Sequence, residues 1–451
     1  MRRAFTIFAV FLSVILVAVS LLLWLAGRES TLQWLAQTAA GASGGKLSVL
    51  GVSGSLYGPL AISEIRFEDD NRRVSVRGLR FDWVPEKLLD RRVQVTELSA
   101  EEIESLTKKK SEEPPPVPES LALPFTYEVD KAQVKSLVIA DAKGRRELND
   151  IAVHLDYDGE IHRAELQSIM FAGGHGRAEV AIGDRAPFPL RSQADISGQW
   201  HEHAYGAELD LSGALTEVQF KATALSGAAS VEANGSASPF AEFPLKRAAL
   251  KAANIDPAHL RSNLPRADLG ATLTLQSEGE MFSGELALDN REPGPADQEL
   301  IPLEKVSLAF GGSVKALEFK DIEVAFHEGG KFVGAGKYKS ETLHLFLTAQ
   351  ALNLRALHSA LQPTRLDCDL SIADSPKTQT IESDLTHEKF RIRVNAAHDD
   401  GKVTVSRAEL KSGKSELVFN ANAELVEPNT FHAEALLKSF NPADFGEFPQ
   451  A

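Results

Sequence analysis

The feature that most constrains this chain is an alternation of apolar and polar side chains, two residues in period, that recurs over most of its length. Leu343, Leu345 and Leu347 alternate with His344 and Phe346. A strand repeats every two residues, so the three leucines share one face. The same spacing joins Leu273 to Leu275, and Leu286 to Leu288. It recurs in Val306, Leu308 and Phe310, in Ile322, Val324 and Phe326, in Leu366 and Leu370, and in Phe390, Ile392 and Val394. Turn dipeptides separate the runs: Asp158-Gly159, Gly173-Gly174, Gly311-Gly312, Gly329-Gly330 and Asp400-Gly401. The pattern predicts an all-β-dominated chain, a long antiparallel meander with one apolar face, one polar face and few helices.

A second regularity is superimposed on the first. After Leu347 the chain reaches Asn353, a residue suited to capping a helix start, and Leu354, Leu357, Ala360 and Leu361 follow at helical spacing. A similar strand-to-helix unit surrounds Asn254 and Pro257, and another surrounds Asn441 and Pro442, with each proline suited to a first helical turn. The asparagines lie 353 − 254 = 99 and 441 − 353 = 88 residues apart. This is a degenerate repeat, longer than ordinary solenoid periods.

The N-terminus has a different character. Arg2 and Arg3 precede an apolar run from Ala4 to Ala26 whose polar members are Thr6, Ser13 and Ser20. That length spans a bilayer as a helix, and the basic pair keeps the N-terminus cytoplasmic. Ala4, Phe8, Phe11, Leu16 and Leu22 would face lipid, with Trp24 at the far interface. Leu21 to Leu25 is bulky where a signal peptidase needs small residues, so the reading is a retained anchor. Ser30 is placed to cap a short helix carrying Leu32, Leu35, Ala36 and Ala39. Residues 101–120 hold charge runs and Pro114, Pro115, Pro116 and Pro118, which predicts a solvated, flexible loop. The resulting division is 1–28 (cytoplasmic stub and anchor), 29–106 (cap helix and first sheet unit), 107–122 (loop) and 123–451 (continuing repeats).

Composition narrows the function. The chain has 451 residues, too many for one ordinary core, and its 43% hydrophobic content excludes a mostly disordered protein. A formal charge of −15 argues against wrapping nucleic acid. The single cysteine, Cys368, alternates with Leu366 and Leu370 and reads as a small hydrophobe. His201-Glu202-His203 could offer two imidazoles to a metal but lacks a third ligand nearby, and Asp367 and Asp369 read as the polar face of a strand. Gly51 to Gly58 lacks the Gly-Lys-Ser/Thr ending of a phosphate-binding loop, and no triad elbow, zinc signature or dinucleotide fingerprint is present. The reading is a non-enzymatic chain without cofactor or metal.

An anchor, a short helix, then Gly51-Val-Ser-Gly54-Ser-Leu56-Tyr-Gly58-Pro59-Leu60 and Ile65-Arg-Phe67 resembles the N-terminus of the TamB family of AsmA-like proteins. The later Leu352-Asn-Leu-Arg-Ala-Leu357 and Phe440-Asn-Pro-Ala-Asp-Phe445 resemble that family's repeats. The motifs are loose, and their order carries the likeness. The resemblance implies an elongated sheet curled into an open hydrophobic groove, similar to the bridge-like lipid transport proteins. It implies an inner-membrane protein, single-pass with its bulk in the periplasm, that moves phospholipids toward the outer membrane. It also implies a longer protein, whose C-terminal region, missing here, would contact an outer-membrane barrel such as TamA.

An apolar sheet face must be covered. A string of closed sandwiches would make a structural stalk, whereas an open trough would leave the face for acyl chains. Alternation alone fits both. The continuity of the pattern, the absence of delimited domains and the membrane-embedded start favour the trough. Roughly 25 strands at 4.8 Å would stack to about 120 Å. The expected groove residues are Leu273, Leu275, Val306, Leu308, Phe310, Val324, Leu343, Leu345, Leu347, Leu366, Leu370, Ile392 and Val394. The alternative is a scaffold for outer-membrane protein assembly that uses strand edges.

Overall fold

The structure, a computed structural model, describes residues 27–108, 116–141, 144–200, 203–261, 263–376, 378–387, 390–399, 402–424 and 430–441. The anchor expected over Ala4–Ala26 lies outside the described residues, as do His201 and Glu202. Among the described residues no helix is long and apolar enough to cross a membrane. The chain divides into two units, Met1–Phe220 and Lys221–Ala451.

The first unit opens with α1 (Glu29–Ala42), which packs on the first strand. Ser30 is not its cap. Arg28 holds that position without capping the helix through its side chain, and the helix starts two residues earlier than the sequence suggested. Glu29 favours this start, because its carboxylate sits in the first turn near the positive helix end and accepts from Gln33 Nε2 at 2.9 Å. Leu32 is buried, whereas Leu35 remains exposed.

The strands of the first unit are β1 (Leu47–Gly54), β2 (Leu60–Glu68), β3 (Arg72–Trp83), β4 (Arg92–Thr107) and β5 (Thr126–Asp141). They continue as β6 (Gly144–Tyr157), β7 (Ile161–Phe171), β8 (Gly174–Gly183), β9 (Pro189–Trp200) and β10 (His203–Ala214). A 3₁₀ turn at Pro85–Asp90 joins β3 to β4. Each strand pairs antiparallel with the next, with one exception that corrects the expected meander. β4 and β5 are parallel, from Arg92↔Thr126 to Leu106↔Ala140.

The reason lies in the proline- and charge-rich connection. A parallel pair requires the chain to return the full length of the strand, which a tight turn cannot do. From Arg92 to Thr107 the strand rises about 50 Å, and the 126 − 107 = 19 links from Thr107 to Thr126 reach about 65 Å at full stretch. The described end of this connection is pinned rather than loose, which also departs from the expected free loop. Leu121 N–H donates to the Asp184 carbonyl at 2.8 Å, and His162 Nε2 donates to the Leu121 carbonyl at 2.9 Å. Tyr157, 2% exposed, stacks on His162 and donates to Asp184 Oδ2 at 2.8 Å.

The strand β11 (Glu217–Ser226) crosses the division between the units. The second unit contains β12 (Ala229–Ala237), β13 (Leu245–Ile255), β14 (Leu269–Glu278), β15 (Met281–Asn290), β16 (Leu303–Ser313), β17 (Ala316–Phe326) and β18 (Lys331–Lys339). It continues through β19 (Thr342–Leu352), β20 (Leu366–Asp374), β21 (Thr378–His387), β22 (Phe390–Asp399), β23 (Lys402–Ser412), β24 (Ser415–Glu424) and β25 (Thr430–Lys438). From β12 to β25 every described ladder is antiparallel between sequence neighbours. Among the described residues no ladder joins β25 back to an earlier strand, so this sheet is open. Gly311 and Gly312 were expected to form a turn, but both lie inside β16, and the hairpin turns at Val314 and Lys315.

The repeat is structural, with its frame shifted by two residues. α2 (Pro257–Leu260) is capped by Asp256, not Asn254, and α3 (Leu354–Leu357) is capped by Asn353. Asp256 Oδ1 accepts from Ala258 and Ala267 N–H, at positions i+2 and i+11. Asn353 Oδ1 accepts from Arg355 and Thr364 N–H, again at i+2 and i+11. Two residues before each cap the backbone is left-handed: φ is +54° at Asn254 and +52° at Ala351. The third copy repeats this with φ +48° at Ser439 ahead of Asn441. The equivalent caps are therefore 353 − 256 = 97 residues apart. Asn254 was misread because asparagine suits both a cap and a left-handed bulge.

The length of the crossover makes a prediction. Removing residues 109–114 leaves 13 links and a reach of about 45 Å, less than the span of β4. Hydrogen exchange should then show lost protection in β5 near Thr126, with β6 to β8 unaffected. Retained protection there would contradict the length argument.

Candidate functional site

The second unit places its apolar side chains in rows that run across the strands. One row passes from Ala252 through Ala271, Leu288, Val306, Val324, Phe332 and Ala349 to Cys368. The register carries that line through positions 385 and 392 to Leu410, Leu417 and Leu437, thirteen strands in all. A second row joins Leu250, Leu273, Leu286 and Leu308, then Ile322, Gly334, Leu347 and Leu370. A third joins Ala248, Leu275, Gly284, Phe310, Phe319, Gly336, Leu345, Ile372 and Ile381. Aligned apolar neighbours of this kind each add a few tenths to 1 kcal/mol, so the rows also fix the register.

Two interior glycines belong to the rows rather than to turns. A Cβ on Gly284 would lie 2.5 Å from the Phe310 ring, and one on Gly336 would lie 2.5 Å from Leu345 Cδ2. Each glycine admits the large neighbour of the next strand over its own backbone, which keeps the surface continuous.

The opposite face carries the charge. Between the first two rows, on that face, lie Thr348, Asp369, Asp384, Arg393 and Glu409, paired strand to strand. Arg393 reaches Asp384 at 2.6 Å. Glu409 is surrounded by Lys411, Arg407 and Arg393, and the Lys411 ammonium holds its carboxyl below the ordinary range. His344 and Phe346 point to this face too, with Phe346 57% exposed.

The apolar face has little above it. Only nine described hydrophobic residues of this unit are buried, and five of them form one cluster: Phe326, Ala349, Leu352, Leu366 and Cys368. Leu303, Val324, Phe332, Leu354 and Leu357 pack against that cluster. A closed sandwich would bury the inward residues of every strand. Here Leu273, Leu275, Val306, Leu308, Phe310, Val324, Leu343, Leu345, Leu347, Leu370 and Val394 stay half-buried along the rows. Position 392 is in register with them. Leu366 differs from the other expected groove residues: it is fully enclosed in the cluster, at 0% exposure. Phe319, Ile372 and Ile381 belong to the face but were not anticipated. A bulge between Phe319 and Ile322 breaks the two-residue count, and Ile381 is flanked by polar residues, which hides its alternation.

The cysteine and carboxylates singled out in the sequence are engaged within the sheet. Burial pushes the Cys368 thiol above its ordinary range. Asp369 accepts from Thr348 Oγ1 at 2.9 Å and Asp367 from Ala351 N–H at 2.8 Å, so both carboxylates brace the sheet. Among the described residues no cluster could hold a metal ion.

Residues 17–171 match the family model described as TamB, N-terminal domain. Over that stretch the chain is TamB-like. No curated protein and no solved structure matches the chain. The TamB-like stretch includes α1 and ends with β7, so it lies within the first unit. The apolar rows of the second unit lie beyond it and are read from geometry alone.

The contrast between enclosed and open leucines is measurable. Leu366→Ala should cost about 2–5 kcal/mol, because it leaves a cavity in a packed cluster. Leu345→Ala should cost nearer 1 kcal/mol, because the residue is only half removed from water. Urea denaturation of the two variants checks the difference, and equal losses would mean that Leu345 is enclosed as well.

Proposed function

We propose that the chain is an envelope lipid carrier whose second-unit face holds phospholipid acyl chains. The observation that carries this reading is the set of apolar rows that, among the described residues of the second unit, have no protein layer above them outside the cluster under α3. A face of this kind must be covered, and acyl chains match it in chemistry and in shape. Each methylene kept from water is worth about 0.8 kcal/mol, so the rows lower the cost of moving a tail outside a bilayer. Thirteen strands at 4.8 Å give the rows a length of about 60 Å. A tail would slide between equivalent sites row by row, while the headgroup stays wet. The sequence carries no Walker motif, and in this reading movement is passive and its direction is set elsewhere.

The TamB-like N-terminal stretch supports an envelope location. Residues 4–26 would hold the chain in the inner membrane, with both units in the periplasm and the rows leading toward the outer membrane. The family's association with phospholipid movement and with outer-membrane integrity supports the same reading.

A second reading has its own support. In β25, Phe431, Leu436 and Leu437 are 75%, 68% and 56% exposed, and the strand pairs only with β24 among the described residues. An edge of this kind could template another strand, as an assembly scaffold for outer-membrane proteins would require.

A photo-crosslinker in place of Leu345, and separately of His344, separates the two. With the full chain and phosphatidylethanolamine/phosphatidylglycerol vesicles, lipid adducts are expected at position 345 and not at 344. Adducts at neither position would overturn the carrier reading and leave the edge-strand scaffold.

A further inference from the structure

The two rims of the second-unit face are built differently. At one rim the strands turn tightly, at 279–280, 314–315 and 340–341. At the other rim the connections 256–268, 291–302 and 353–365 are long, with short turns at 327–330 and 413–414 on the same rim. Exposure differs between the rows around β19 to β21. Ala349 and Leu366, beside the long connections, are 0% exposed, whereas Ile381, on a row further from them, is 46% exposed.

The connection 353–365 covers the buried cluster with Leu354 and Leu357 of α3. A single helical turn has no stability of its own, so other contacts must hold it in place. Within the connection, Thr364 Oγ1 donates to the Leu352 carbonyl at 2.9 Å and accepts from Leu354 N–H at 2.9 Å. Arg355 Nε donates to the Leu361 carbonyl at 3.1 Å. One brace comes from a different connection. Asp297 accepts from Ser359 N–H at 2.9 Å and from the Ser359 hydroxyl, and His358 Nδ1 lies 3.8 Å from it. These hydrogen bonds hold the Asp297 carboxyl below its ordinary range. The connection that carries Asp297 is itself fixed by Asn290, 4% exposed, whose Nδ2 donates to the carbonyls of Ile301 and Leu303.

We propose that residues 353–365 form a strap, latched by Asp297, that closes one rim of the apolar face and confines acyl-chain access to the tight-turn rim. The strap's own leucines occupy the ground that a tail would otherwise take. The confinement rests on the carrier reading above; the latch does not.

The sole cysteine, Cys368, lies beneath the strap and serves as an internal reporter. In the full chain, maleimide should label Cys368 slowly. Asp297→Ala should label roughly tenfold faster or more, since hydrogen bonds to a charged group shift a local opening equilibrium by about that factor. Ser359→Ala keeps the backbone bond and should fall between the two; it carries the test if Asp297→Ala loses its sheet signal in circular dichroism. Equal labelling with and without the latch, slow or fast, overturns it. A benzophenone side chain in place of Phe332, beside the same cluster, tests confinement with the same vesicles. Lipid adducts are expected there only when Asp297 is replaced, and adducts with the latch intact overturn the confinement. Should Leu345 capture no lipid while Cys368 still answers to Asp297, the latch stands and the acyl-chain part of the proposal falls.

Discussion

Cross-strand register is the constraint on which the second unit depends. Outside the cluster under α3, the apolar side chains find their neighbours in the strands beside them, so the rows hold together only while every strand keeps its pairing. A slip of one residue would send Leu343, Leu345 and Leu347 to the face that carries His344. The glycines at 284 and 336, the left-handed residues at 254 and 351 and the caps at 256 and 353 all fix positions along the strands. They act on register as much as on turns. The separation of faces follows: charge ladders such as Asp384–Arg393–Glu409 gather on the side opposite the apolar rows.

The first unit solves a different problem with the same material. Its parallel β4–β5 pair forces a long return of the chain, and the Tyr157–His162–Asp184 group anchors the end of that return. What looks like a spacer by composition has its length set by the strand it must travel.

Much of this was legible in the sequence. Period-two alternation marked the strands and the shared face, because side-chain direction in a strand is fixed by the backbone. The strand-to-helix repeat was visible as well, with its frame wrong by two residues at Asn254. Three things were hidden for physical reasons. Parallel pairing of β4 with β5 leaves no mark on either strand. Bulges such as the one at Phe319 break the alternation that would have marked the face. The enclosure of Leu366 depends on Leu354 and Leu357 folding back over it, and its place in the strand pattern equals that of Leu370. The TamB-like N-terminal stretch confirms the family resemblance where it applies, and the rows of the second unit extend the reading by geometry.

The central claim is that the apolar face of the second unit is occupied by lipid in the working protein. Native mass spectrometry of the full chain, purified from membranes in mild detergent, tests it most directly. The account predicts phospholipid masses on the wild-type chain and their loss when Leu275, Leu308 and Leu347, on β14, β16 and β19, are replaced together by asparagine with the sheet intact. A wild-type chain that carries no lipid, or lipid that persists on the triple variant, would contradict it.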